Sequence, residues 1–204
     1  MIVLYGYMIY WVMAAIGITY GYHRYFAHGD YKTSPLVEIV LLYFGLLCGG
    51  RSALTWAGVH RIHHAHADTD KDPHSPKNHP WYVILFSLWK VKQIPRKYII
   101  DLIRNPRVMF FHKYGKFIFA AHWIITTLLF GVNAVIINLM LFILSYVGFG
   151  ILNFYGHDAK GPANNLLINL VAPFEGNHKD HHDEVLEQTV LYVFFGLRFS
   201  FSNF

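Results

Sequence analysis

The sequence predicts an all-α integral membrane protein with three transmembrane helices and shorter interfacial helices between them, on three observations. Apolar side chains fill 54% of the 204 positions and charged ones only 14%, against about 45–50% and 25% in soluble domains, so too little polar surface exists to coat a soluble globule. Met1 to Tyr22 contains no Asp, Glu, Lys, Arg or His, and from Phe117 to Tyr155 the only such residue is His122; both stretches exceed the ~20 apolar residues that cross a bilayer. The basic residues are one-sided: 14 of the 17 lie between Arg24 and Lys116, and the others are Lys160, Lys179 and Arg198. Disorder, a nucleic-acid module and a secreted disulfide scaffold are excluded by the same composition. The single Cys48 has no internal partner, and in the run Leu46-Leu47-Cys48 it reads as a buried, inert thiol.

In chain order, the first apolar stretch lacks the basic start and small-residue cleavage site of a signal peptide, which predicts a retained helix over about 2–22. Leu36–Cys48 and Trp81–Val91 are too short to span and suit interfacial or re-entrant helices. The Pro-rich stretch Asp72–Pro80 reads as one loop. The second long stretch is about twice the spanning length, and Gly131-Val132-Asn133 breaks it into a hairpin of spans at about 116–132 and 134–156. The positive-inside bias then places the N-terminus outside, residues 23–115 and 157–204 in the cytosol, and the active face on the cytosolic side of a single domain, 1–204.

Histidine is over-represented, 14 against 12 Asp plus Glu. His60, His63 and His64 stand at i, i+3, i+4, which sets three imidazoles on one helix face, and His178, His181 and His182 repeat the spacing. His23 and His28 follow the first span, and Asn153 and His157 stand at i, i+4 where the last span reaches the cytosol. All four groups meet at one membrane face, provided that Leu36–Cys48 does not cross. Nine imidazoles and one amide suffice for two metals, so the interfacial helices are expected to form a His-rich cap over a di-metal site. His66, His79, His112 and His122 read as surface or satisfied core residues, while His74 closes a loop beside the second cluster.

Carboxylate di-iron bundles use two E-x-x-H pairs and further Glu; only Glu175-Gly-Asn-His178 fits that spelling here, and no Glu lies in an expected span. A zinc hydrolase needs three or four ligands. All-imidazole ligation suits Fe, Cu or Zn, and iron is favoured because zinc has no redox chemistry with which to activate oxygen.

His23-Arg-Tyr-Phe-Ala-His28, His60-Arg-Ile-His63-His64 followed by Asp68-Thr-Asp-Lys-Asp72-Pro-His74, and Glu175-Gly-Asn-His178-Lys-Asp-His181-His182 resemble the three histidine boxes of the membrane fatty acid desaturases, closest to the delta-9 type. The likeness runs from about Gly17 to His182 and includes Trp56 before the second box and the Asn153-x-x-x-His157 pair. It implies two irons held by the nine histidines, Asn153 acting through a water, an acyl chain near the metals with Trp56 as a contact, O₂ as co-substrate, and electrons from a separate donor, a ferredoxin or small cytochrome. Zinc is expected as a substitute in overproduced protein.

Three departures from that family pattern stand out. Relatives begin with a span pair of which this chain shows the second member, which raises a homo-oligomer covering the open flank. Animal acyl-CoA members carry Arg-Asp where this chain has Gly58-Val59, which favours an acyl-lipid or acyl carrier over acyl-CoA. After the third box comes Asp183-Glu184-Val185-Leu186-Glu187 and an aromatic tail to Phe204. The expected activity is O₂-dependent desaturation of a fatty acyl chain. A hydroxylase of the same superfamily is the alternative, and a metal transporter the more distant one, since transporters place ion ligands near the bilayer midplane.

Overall fold

The computed structural model describes residues 1–183, 189–192 and 198–200. Helix α1 (Ile2–Ala14) continues without interruption into a π-helical segment, Ala15–His28, which ends at left-handed Gly29. Helix α2 (Pro35–Gly45) starts with Pro35 behind Ser34, whose hydroxyl accepts from the Val37 amide, and passes through a π turn, Leu46–Gly50, into α3 (Ala53–His66). Two short helices follow, α4 (Trp81–Leu85) and α5 (Ile100–Arg104), then the long pair α6 (Pro106–Phe130) and α7 (Val132–Tyr155), and finally α8 (His178–His182). Among the described residues, strands are confined to two small antiparallel pairs, β1 (His157–Asp158) with β2 (Gly161–Pro162) and β3 (Thr189–Tyr192) with β4 (Arg198–Ser200). The rest of the aromatic tail lies outside the described residues.

Among the described residues, two helices are long and apolar enough to cross a membrane, Ile2–His28 and Val132–Tyr155; α2 with α3, bent by 71°, adds a third if taken as one broken span. Helix α6 differs from the expected span at 116–132. It begins at Pro106 and carries Arg107, Lys113 and Lys116 in its first half, so only its second half is apolar. The hairpin is also tighter than expected: Gly131 alone makes the turn at φ 64°, ψ −147°, a backbone that only glycine adopts without strain. Trp81–Val91 is helical only to Leu85; the chain then turns at Ser87, whose φ is 45°.

The core joins α1 and its π extension to α2, α3 and the hairpin around Tyr10, Tyr22, Leu42, Leu47 and Val108, each at most 2% exposed. Helices meet closely where side chains vanish: a Cβ on Gly17 would stand 2.3 Å from the Gly45 amide nitrogen, and one on Gly45 would strike the Tyr22 ring. Buried Glu38 ties α2 to the start of α6, accepting from Arg107 Nη2 at 2.7 Å, Arg107 Nε at 2.9 Å and the Asn105 amide. Asn105 also caps α6 through the Arg107 N–H. The one ionisable residue of the second apolar stretch is absorbed by polar contacts between helices. Tyr43 Oη donates to His122 Nδ1 (2.8 Å), His122 Nε2 meets Asn138 Oδ1 (3.1 Å), and Asn138 Nδ2 donates to Thr126 (2.9 Å). Large apolar side chains such as Phe117, Leu128, Phe130 and Ile143 face outward on the hairpin, the surface that a lipid environment satisfies.

Candidate metal centre

Four elements bring the histidines together. The π-helix explains the first pair. In an α-helix residues five apart point about 140° from each other, whereas a π-helix closes i→i+5 rings, and here the His23 and His28 rings lie 5.0 Å apart. Each H-x-x-H-H triplet then divides. His60 and His64 join His23, His28 and His181 in a five-donor set, and His63 joins His157, His178 and His182 in a four-donor set. The outer members of one triplet therefore pair with the inner member of the other, because residues four apart share a face while the residue between them is rotated by about 100° from its neighbour. His157 departs from the expected helical i, i+4 relation: α7 ends at Tyr155, and His157 sits in β1.

The donors converge through Nε2. His23 meets His181 at 2.7 Å, His28 meets His60 at 3.0 Å and His181 meets His64 at 3.0 Å in the first set; His63 meets His182 and His178 meets His157 at 3.1 Å in the second. With metal–nitrogen bonds of about 2.1 Å, donors at right angles stand about 3.0 Å apart and tetrahedral donors about 3.4 Å. The observed spacings are those of donors close enough to share one ion. Both sets could hold a metal ion.

Carboxylates on the far side of the rings orient them. His23 Nδ1 contacts Glu175 Oε1 at 2.9 Å, His63 Nδ1 contacts both Asp72 oxygens at 2.9 and 3.0 Å, and His157 Nδ1 contacts Asp68 Oδ2 at 3.0 Å. With Nδ1–H donated to a carboxylate, Nε2 keeps its lone pair for a metal and gains basicity. Burial works in the same direction: it holds the His178 and His181 imidazoles well below the usual histidine range, and His182 down to about 2, with neighbouring imidazoles adding to the effect. Glu175 stays below the usual carboxylate range although its burial opposes this, because His23 and Arg24 lie close and His23 hydrogen-bonds to it.

Sequence reasoning assigned no role of their own to Asp68, Asp72 and Glu175, or to Arg61. The signal was their position inside or just behind the boxes. Arg61 donates to the Phe26 and Ala27 carbonyls and to Tyr98 O, and takes Asp101 in a bidentate pair at 2.7 and 2.8 Å, tying the end of the first helix to α3 and α5. The other histidines have other partners: His112 contacts Ser52 Oγ, His66 the Tyr98 hydroxyl and His79 the Pro73 carbonyl. His74 packs against His63 at 4.2 Å, close enough for His63, Asp72 and His74 to form a third donor group that shares His63 with the four-donor set.

A cavity of 580 Å³, within the usual range of about 300–1,000 Å³ for small-molecule sites, reaches the centre at His23, His60, His63 and His178. Asn153 and Trp56 line it, and the Trp56 ring stacks on His60 at 5.0 Å. Apolar Ile18, Val59, Ile94, Phe149 and Leu152 form much of the rest.

A family model described as fatty acid desaturase matches residues 1–194. The chain belongs to the fatty acid desaturase family. It is 34% identical over 193 residues to the acyl-CoA Delta(11) desaturase of Trichoplusia ni, covering 83% of this chain and 55% of that protein. It is 30% identical over 196 residues to the probable acyl-CoA desaturase of Schizosaccharomyces pombe (86% and 40%). Over 115 residues it is 33% identical to the sn-1 stearoyl-lipid 9-desaturase of Anabaena variabilis (54% and 42%). The chain thus spans about half the length of the curated relatives it matches.

Proposed function

We propose that this desaturase-family chain removes two hydrogens from adjacent methylenes of a fatty acyl chain, with O₂ and two electrons, at a centre of two irons held by His23, His28, His60, His63, His64, His157, His178, His181 and His182, Asn153 contributing through a water. The observation that carries the proposal is the pair of facing imidazole sets at the wall of an apolar cavity. In balance, one –CH₂–CH₂– unit, one O₂, two electrons and two protons become one –CH=CH– and two waters. The irons supply the oxygen and redox chemistry when bound. The chain's own residues do the rest: Glu175, Asp72 and Asp68 hold the imidazoles in the ligating tautomer, Trp56 and Phe149 pack the acyl chain, and the apolar walls keep bulk water from the reacting carbons.

Delta-9-like placement is the regiochemistry proposed. An acyl-lipid or acyl carrier is favoured over acyl-CoA. Gly58, where the family pattern of animal acyl-CoA members has Arg, is packed under Ile94 and Ile99, and a Cβ there would stand 2.6 Å from Ile99. The basic surface from Lys90 to Lys116 suits an acidic electron donor, a ferredoxin or small cytochrome. The excess of basic residues on that side supports an N-terminus outside and a centre at the cytosolic face of the membrane, and the apolar face of α1 suits a second copy of the chain. Iron(II) lies below zinc in the affinity order, so overproduced protein should carry zinc in the same positions. Expression in a host lipid background, with fatty acid methyl esters analysed by mass spectrometry, tests the proposal: new monounsaturated species are expected, and hydroxylated products or no change would overturn it.

A further inference from the structure

The segment after α4 is folded into the cavity. Helix α4 ends against α7 at Gly150, where a Cβ would stand 1.9 Å from the Leu85 carbonyl oxygen, and the left-handed turn at Ser87 then brings Leu88 and Trp89 to the cavity wall. The Trp89 ring lies 5.0 Å from His74, and His74 is only 5% exposed. Trp89 Nε1 and His74 Nδ1 are both shielded from solvent, both residues line the cavity, and among the described residues neither nitrogen has a hydrogen-bond partner. Native interiors rarely leave such groups unpaired, because each then gives up its hydrogen bond to water with nothing in exchange. A few convergent polar groups in a largely apolar cavity are what orients a bound ligand.

We infer that the Trp89 indole N–H, with His74 packed beside it, is the polar anchor for the carbonyl oxygen of the bound acyl ester or thioester, so that its separation from the histidine sets determines which methylenes reach the metals. The inference rests on the acyl-chain reading above. An indole N–H can only donate, so its partner must be an acceptor, and a saturated acyl chain carries acceptors only at its esterified end. His74 packs on His63, which places the anchored end on the side of the four-donor set.

Trp89→Phe keeps an aromatic ring and removes the donor. The whole 204-residue chain in nanodiscs is titrated with a long-chain methyl ester and with the matching alkyl ether, which lacks the carbonyl. Wild-type protein is expected to bind the ester about tenfold more tightly than the ether, equivalent to about 1.4 kcal/mol, and Trp89→Phe to bind the two within about twofold. If the wild type does not discriminate, or the variant discriminates as well as the wild type, the anchor is wrong; the wild-type comparison stands even if the variant fails to fold. In turnover, loss of the anchor should spread the double bond over neighbouring carbons. A wild type that prefers the ester yet produces no unsaturation would refute the proposed reaction and leave the anchor in place.

Discussion

Asp72 is the residue whose loss is most informative about the centre. Its side chain is buried and accepts four hydrogen bonds, from His63 Nδ1 at both oxygens (3.0 and 2.9 Å), from the Asp68 N–H (2.8 Å) and from the His74 N–H (3.1 Å). In Asp72→Asn, whichever oxygen becomes –NH₂ confronts one of the two backbone N–H donors, so one buried donor loses its partner, and the bond that polarises His63 loses its charge. A hydrogen bond to a charged group contributes about 1.5–3 kcal/mol and an orphaned buried donor costs about 1–3 kcal/mol; removal of a carboxylate behind a metal-ligating histidine lowers metal affinity about 10–100-fold. The expected outcome is loss of that size at the four-donor set, to which His63 belongs, with the five-donor set much less affected. Zinc competition against a chelator, with total metal counted by mass spectrometry, reads both: wild-type protein should hold two ions and the variant one tight and one weakened. Two ions of unchanged affinity in Asp72→Asn would refute the claim that this carboxylate orients a ligand.

His63→Ala and His181→Ala should each abolish turnover and lower metal content, whereas His112→Ala and His122→Ala should keep most of both; equal losses in all four would show that the imidazole sets are not the site. Folded His178, His181 and His182 resist protonation while the unfolded chain takes protons near the ordinary 6.5, so the unfolded state binds more protons as pH falls through that value. The melting midpoint of metal-free protein should accordingly be level above about pH 7 and drop below about 6.5, and a midpoint unchanged down to pH 5 would contradict it. Gly150→Ala forces a methyl into the Leu85 carbonyl and should destabilise the protein by about 1–3 kcal/mol, measured as a lower melting midpoint in detergent, with displacement of the Trp89 segment seen as altered tryptophan fluorescence.

The histidine spacings, the apolar stretches and the family likeness were all legible along the chain, because each is a local property: periodicity places imidazoles on one helix face, and hydropathy needs no partner. Even the H-x₄-H spacing of His23 and His28 was visible, although an α-helical interpretation would have set the two rings apart; the close packing of Gly17 on α2 lies within the π-helical segment that reunites them. Three-dimensional packing decided how the nine histidines are shared. Chain neighbours His63 and His64 go to different sets, as do His181 and His182, since adjacent residues on a helix diverge by about 100° and each finds its partners on another element. It also decided which carboxylate backs which ring: Asp68 reaches His157 across 89 positions and Glu175 reaches His23 across 152, distances over which sequence spacing carries no orientation. The same holds for the extent of α6, whose charged first half is helical because Asn105 caps it and Glu38 anchors it, and for the Trp89 segment, which an apolar run alone suggested as interfacial helix. There a glycine on a distant helix let a backbone carbonyl approach, and that steric opening, invisible from the run itself, turned the chain toward the cavity.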